Sequence, residues 1–263
     1  MIKREFKVNL KSFIIWISIL LAMFIFVYAI YPFIITDETV KSMDELMKVF
    51  PPEVLKSFNM DISSISSAYG WVKSEGFMYA LLLIGLYASI LGMNIVLKEE
   101  SDKTIEYLAA LPIKRSNILL SKVIVSITYI ALLVIIFGLV NYICLLLSGD
   151  FNQKQFLLLS ITPLLIALPF FGLNLFLSMF FKSTKKTLAI PLGFVFISYL
   201  FTMISELSTK VAYLKYLSIY TLADTRNVIM NVEIKSIMII ISLALTIVFI
   251  TLSYFRYNKK ELG

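Results

Sequence analysis

The densest run of charged residues in the chain is the segment Glu99–Lys122, together with Lys98 just before it. It contains five basic and four acidic side chains: Lys98, Lys103, Lys114, Arg115 and Lys122 against Glu99, Glu100, Asp102 and Glu106. One charge at the centre of a membrane costs roughly 2.5–3.5 kcal/mol on insertion scales. Because long apolar runs flank this segment on both sides, we expect it to lie in water between two membrane spans.

The same segment has helical spacing. Ile105, Leu108 and Ala109 recur at i, i+3 and i+4, and Pro112 ends the pattern. These residues predict a short amphipathic helix whose apolar stripe is not used by lipid. Such a helix is suited to dock a partner in the cytoplasm, and an ordinary polar connector between two spans is the alternative.

The residue types needed for several kinds of chemistry are absent from the sequence. There is no histidine, which excludes histidine-based catalysis, metal ligation and proton relays. The single cysteine, Cys144, can form neither an intramolecular disulfide nor a cysteine-based metal site. No glycine pattern matches an ATP-binding phosphate loop. We therefore predict no catalytic, cofactor-binding or metal-binding residues in this chain.

The composition predicts an all-α integral membrane protein. Of 263 residues, 59% are hydrophobic and only 16% are charged, and the mean hydropathy is +0.89. A helix needs about 20 apolar residues to cross the hydrocarbon core of a bilayer. Six runs approach or exceed this length and contain no Lys, Arg, Asp or Glu. They predict a single transmembrane domain over residues 1–263, with spans at about 12–34, 77–97, 123–149, 155–181, 187–205 and 236–255.

Charge asymmetry predicts the orientation of this domain. Six spans place both termini on one side, where the tails, the Glu99–Lys122 region and the 182–186 turn contain 15 basic and 6 acidic residues. The opposite loops contain 9 basic and 11 acidic residues. The positive-inside rule puts both termini and the charged segment on the cytoplasmic side of the membrane. Topology therefore accounts for the net charge of +7, with anionic lipid as its natural partner and no need for nucleic acid.

The external loops, 35–76 and 206–235, carry weaker patterns. Apolar residues at 43–50 and 54–58, on either side of Pro51 and Pro52, favour two short amphipathic helices at the membrane surface, and a partly ordered loop is the alternative. Mixed apolar and charged residues at 206–235 favour surface or half-inserted helices. In the second span, small residues share one helical face and would allow another helix to approach closely: Gly85, Ala88, Ser89 and Gly92.

The charged segment resembles the cytoplasmic signature of the type-two ABC export permeases. In that family an acidic residue ends the second span, a Thr-x-Glu-x-Leu helix follows, and Pro, Arg and Lys lead into the third span. The matching residues here are Glu100, Thr104, Glu106, Leu108, Pro112, Arg115 and Lys122, and with Ile105 of the apolar stripe they are the candidate ATPase-coupling residues. The family usually has glycine where Lys103 stands. Six spans, a large first external loop and a basic C-terminal tail extend the resemblance over the whole chain, which is similar in plan to bacitracin and phenol-soluble modulin exporter permeases.

The resemblance implies a transmembrane permease that exports a hydrophobic or amphipathic substrate such as a peptide, drug or lipid-like molecule. The implied partners are separate ABC ATPase subunits, which would bind ATP and Mg²⁺, and a second permease in a homo- or heterodimer. The segment between the second and third spans would be the coupling helix that binds the ATPase. Three alternatives stay open from the residues alone: a secondary transporter, a membrane-embedded enzyme, and a structural or sensory subunit that docks a partner other than an ATPase.

Overall fold

The computed structural model describes residues 1–34, 36–49, 68–72, 76–102, 104, 113–148 and 151–260, and within these ranges its regular structure is helical. Two 3₁₀ helices, Thr209–Leu217 and Ile219–Leu222, follow one another in the second half of the chain. The α helices, numbered in chain order, are α1 (Ile2–Ile34), α2 (Asp37–Val49), α3 (Ala68–Trp71), α4 (Phe77–Ser101), α5 (Arg115–Ser148), α6 (Gln153–Ser178), α7 (Thr184–Thr187), α8 (Ala189–Leu207), α9 (Thr225–Asn231) and α10 (Ser236–Lys259).

Among the described helices, six are long and apolar enough to cross a membrane: α1, α4, α5, α6, α8 and α10. The shortest of them, α8, has 19 residues. At 1.5 Å per residue its length is about 29 Å, close to the thickness of the hydrocarbon core. The predicted all-α integral membrane fold with six transmembrane helices is therefore confirmed.

Consecutive spans run in opposite directions, so the two chain termini lie at the same end of the helix bundle. Glu5, near the start of α1, is 3.2 Å from Lys122 in the first turns of α5. Lys260, which follows α10, is 2.7 Å from Glu100 near the end of α4. We call this the terminal end of the bundle, and the other the loop end.

At the loop end, hydrogen bonds connect short helices to the spans. The hydroxyl group of Tyr69 in α3 donates to the side-chain oxygen of Gln155, 2.7 Å away in the first turn of α6. The amide of Gln155 in turn donates to the carbonyl oxygen of Ile229 in α9 at 2.6 Å. Burial raises the pKa of Tyr69, so the phenol remains a neutral donor.

The centre of the bundle is formed by α4 and α6. Their most apolar windows are 72% and 61% buried, against 17% for α8 and for α10. The outer helices instead expose large apolar side chains, such as Ile240 and Ile247 of α10, which are more than half exposed. Those surfaces suit contact with lipid, since apolar side chains on a water-exposed face would be unfavourable.

Four helices extend at least four residues past the apolar runs that the sequence marked as spans. α1 begins at Ile2 where the run begins at position 12, and α5 begins at Arg115 where the run begins at 123. α4 continues to Ser101 where the run ends at 97, and α10 continues to Lys259 where the run ends at 255. The added turns contain charged residues, which a hydropathy window excludes. Ion pairs between helices compensate several of those charges, among them Glu5, Glu99 and Lys122, and the predicted loop Glu99–Lys122 is helical at both of its ends.

The segments outside the spans are partly helical. α2 lies where the first of the two amphipathic surface helices was predicted, and residues 50–67, where the second was predicted, lie outside the described residues. The segment 206–235 contains the two 3₁₀ helices and α9. Tyr220 of the second 3₁₀ helix is buried, with its ring 5.3 Å from that of Phe170 in α6. This segment therefore enters the bundle, as a half-inserted helix does.

Candidate functional site

The predicted coupling residues divide into two groups. Ile105, Glu106, Leu108 and Pro112 lie outside the described residues. The structure describes Glu100, Thr104, Arg115 and Lys122, which flank that part on both sides. Thr104 is exposed, and its backbone N–H donates to the carbonyl oxygen of Glu99 at 2.9 Å, which turns the chain at the end of α4.

The first group of charges at the terminal end surrounds Lys122, whose side chain is 1% exposed. Its ammonium nitrogen lies 3.2 Å from Glu5 Oε2, 3.0 Å from Glu99 Oε1 and 2.9 Å from the carbonyl oxygen of Ile95. An ammonium group has three N–H donors, and three oxygens surround this one. The side chains of Glu5 and Glu99 are themselves 3% and 9% exposed. Lys122 thereby connects α1, α4 and α5.

Further contacts hold the first helix against the third span. Arg4 lies 3.7 Å from Glu99 and is partly exposed, so it adds a weaker ion pair at the edge of the group. The hydroxyl of Tyr129 in α5 donates to the carbonyl oxygen of Phe6 at 2.7 Å. The Tyr129 ring also lies against the rings of Phe6 and Phe13, at centroid distances of 5.2 and 4.8 Å. The N-terminal turns of α1 are therefore fixed to α5 by packing as well as by charge.

The second group of charges surrounds Lys260, at the end of α10. Its ammonium nitrogen is 2.7 Å from Glu100 Oε1 and 2.9 Å from the carbonyl oxygen of Phe181, and both charged side chains are less than a tenth exposed. Arg115, at the start of α5, donates to the Lys260 carbonyl oxygen at 3.0 Å. Lys260, at the C-terminal end of α10, therefore contacts Glu100 near the beginning of the charged segment and Arg115 near its end.

These two groups, which we call the ion-pair clamp (Glu5, Glu99, Glu100, Lys122 and Lys260), connect the two described ends of the segment to α1 and to the end of α10. A buried ion costs several kcal/mol unless it is paired with good geometry, so separating one member from its partners is unfavourable. The hydroxyl of Thr184 in α7 is also 3.2 Å from that of Ser101. A displacement of the segment would consequently be felt at the terminal ends of α1, α4, α5 and α10.

Sequence reasoning identified Lys122 and Glu100 but placed them on a docking surface. In the chain as described, their side chains face other helices of the same bundle. These two residues would therefore contribute to coupling by holding the segment in position. Glu5 and Lys260 were missed, because their partners lie 117 and 160 residues away along the chain. The one available signal was Glu5 itself, an acidic residue in a tail of four basic ones.

The small residues predicted to form a packing face all lie buried in α4: Gly85, Ala88, Ser89 and Gly92. A Cβ atom added at Gly92 would overlap the carbonyl oxygen of Phe171 in α6 and lie 3.1 Å from the Leu175 nitrogen. One added at Gly85 would lie 2.7 Å from the Tyr220 hydroxyl oxygen. At Gly92 the backbones of α4 and α6 are thus in direct contact because glycine has no side chain, as small residues allow in membrane helix pairs.

Six apolar spans, a buried cluster of charges at one end and a charged segment between the second and third spans define a multi-pass membrane protein. A family model described as ABC-2 family transporter protein matches residues 1–262. The chain therefore belongs to the ABC-2 transporter family and is an ABC transporter permease. No curated protein and no solved structure matches the chain.

Proposed function

We propose that this permease is one subunit of an ATP-driven exporter in a bacterial cell membrane, with both termini in the cytoplasm. It works with a second permease and with separate ATPase subunits, and those subunits bind the ATP and Mg²⁺. The basic residues concentrated at the terminal end, 15 against 9 elsewhere, support the orientation. The ABC-2 family supports partnership with an ABC ATPase in general.

The observation that carries the proposal is the ion-pair clamp at both ends of the Glu99–Lys122 segment. The end of α4 is held to α1 and α10 through Glu99 and Glu100, and the start of α5 is held to the same two helices through Lys122 and Arg115. An ATPase bound to this segment would therefore push on four spans at once. We propose that the closure of the ATPases moves these spans as rigid bodies and changes the opening between two permeases.

The substrate we propose is hydrophobic or amphipathic. The six apolar runs contain no charged residue, so a path built from them offers no charged ligand for a small ion. The charged residues of the clamp do not supply such ligands either, because they are paired with each other at one end of the bundle. A peptide, drug or lipid-like molecule fits such a path better than an inorganic cation.

Transport in inside-out membrane vesicles tests the proposal. Vesicles containing the permease and the ATPase encoded beside its gene should accumulate a fluorescent amphipathic probe when ATP is added. An ATPase variant without its phosphate-loop lysine is the control and should abolish accumulation. Uptake driven by a proton or sodium gradient in vesicles without the ATPase would contradict the proposal and favour a secondary transporter.

A further inference from the structure

A large cavity lies at the loop end of the bundle, away from the ion-pair clamp. Its volume is about 920 Å³, within the range of sites that hold drug-sized ligands. Its walls come from α4, α6, α8, α10, the start of α9 and the two 3₁₀ helices. The half-inserted segment 206–235 therefore forms one side of the cavity, and the spans form the other.

The polarity of the cavity changes along its length. Its inner part is lined by apolar side chains, among them Leu81, Leu173 and Phe249. Charged side chains line the outer part, where the segment between α8 and α10 leaves the bundle. From Lys235 to Phe249 the wall follows α10 for 14 residues, or about 21 Å at 1.5 Å per residue. This depth is somewhat more than half of the roughly 30 Å hydrocarbon core of a bilayer.

The cavity also reaches the outer surface of the bundle. Of its lining residues, Tyr216 is 80% exposed, Leu217 is 64% exposed and Ile237 is 54% exposed. Ile237 belongs to the exposed apolar face of α10, which also carries Ile240 and Leu243. Because that face suits contact with lipid, a molecule from the bilayer can enter the cavity sideways without crossing water.

The charges of the outer part favour an anionic head group. Three basic residues, Lys215, Arg226 and Lys235, face two acidic ones, Glu206 and Asp224. Lys235 is 3.0 Å from Asp224, and Arg226 is 4.0 Å from Glu206 at the limit of an ion pair. The ammonium of Lys215 lies 5.0 Å from the centre of the Tyr216 ring. This set has a net positive charge and donors that match the phosphate oxygens of a lipid.

We propose that the cavity is a binding site for one anionic phospholipid, with an acyl chain in the apolar inner part and the phosphate group among the three basic residues. Each part of the lipid then meets the side chains that match it: hydrocarbon against Leu81 and Phe249, phosphate against Lys215. The inference does not depend on the ATPase partnership, because lipid binds here without nucleotide. Its test can therefore fail while the proposed function stands.

Lipid retention by the purified full-length permease, measured by native mass spectrometry in detergent, tests the site. Titration with phosphatidylglycerol should show one tightly bound molecule per chain. Leu245→Trp fills the inner part of the cavity and should weaken this binding at least tenfold. Leu243→Trp is the matched control, since Leu243 is on the same helix and is 47% exposed outside the cavity, and it should leave binding unchanged.

A second pair of variants tests the head-group contact without filling the cavity. Lys215→Gln should weaken phosphatidylglycerol binding about fivefold, the effect of one basic residue near an anionic lipid surface, and should leave uncharged diacylglycerol binding unchanged. Lys210→Gln, an exposed lysine of the same 3₁₀ helix outside the cavity, should change neither. Equal retention by Leu245→Trp and the parent chain overturns the proposal. So does an absence of saturable lipid binding, the result expected if the cavity holds an amphipathic peptide.

Discussion

Replacing Lys122 by methionine is the perturbation that the structure makes most informative. Methionine keeps most of the length and apolar character of the side chain and removes the charge. The change leaves the carboxylates of Glu5 and Glu99 buried next to each other, at 3% and 9% side-chain exposure. Among the described residues, the partly exposed Arg4 is the remaining cation paired with Glu99. The change also leaves the Ile95 carbonyl oxygen without its Lys122 donor.

The expected loss is large, because breaking a buried ion pair by removing one partner typically costs about 3–5 kcal/mol. For a chain of this size such a loss lowers the midpoint of thermal unfolding by on the order of 10 °C. The measurement is thermal unfolding of the detergent-purified permease, followed by far-ultraviolet circular dichroism. Lys98→Met is the matched control, since Lys98 is exposed in the same turn as Glu99, and we expect a shift of no more than about 1–2 °C.

A triple variant separates the loss of charge balance from the loss of packing. Combining Lys122→Met with Glu5→Gln and Glu99→Gln removes all three charges together, and replacing a buried ionic group as a unit is often close to neutral. The triple variant should therefore recover most of the stability lost by Lys122→Met alone. If Lys122→Met unfolds at the same temperature as Lys98→Met, the residues do not form a clamp, and the reasoning from burial and pairing is refuted.

Two further predictions follow from helix packing and from charge. Gly92→Ala should destabilise the bundle by about 1–3 kcal/mol, because the added Cβ atom would overlap the Phe171 carbonyl oxygen. Gly193→Ala is the control, since a Cβ atom added there meets nothing within 4 Å. It should be neutral or slightly stabilising in the same unfolding experiment. In a background without Cys144, an impermeant thiol reagent added outside cells should label Ser64→Cys and not Ser183→Cys, and the reverse pattern would contradict cytoplasmic termini.

Much of the fold could be predicted from the sequence, because a membrane span is a local property. Roughly 20 consecutive apolar residues are visible in any hydropathy window, and six such runs correspond to the six long helices. The ends of four helices could not be predicted in this way. The first turns of α1 carry Arg4 and Glu5, which a window treats as the end of a span, and the partner that makes Glu5 acceptable in the bundle is Lys122.

The candidate site was only partly predictable for the same reason. The segment Glu99–Lys122 stood out by its charge density, but charge density does not say which side chains face a partner and which face their own bundle. Lys260 looked like one more basic residue of a cytoplasmic tail, and its buried pairing with Glu100 depends on contacts across 160 residues. Long-range ion pairs are a property of the tertiary structure, whereas the positive-inside rule counts charges without pairing them.

The central claim, that the Glu99–Lys122 segment binds a separate ATPase, is tested most directly by Leu108→Asp. Leu108 belongs to the apolar stripe of the sequence, and a charge buried without a partner in a dry groove costs several kcal/mol. A loss of roughly 3 kcal/mol weakens binding by about a hundredfold, so the tagged variant should no longer co-purify the ATPase. Asn258→Asp, which adds the same charge to an exposed position at the same end of the bundle, should retain it. Undiminished co-purification and transport with Leu108→Asp would contradict the claim and leave the segment as a polar connector.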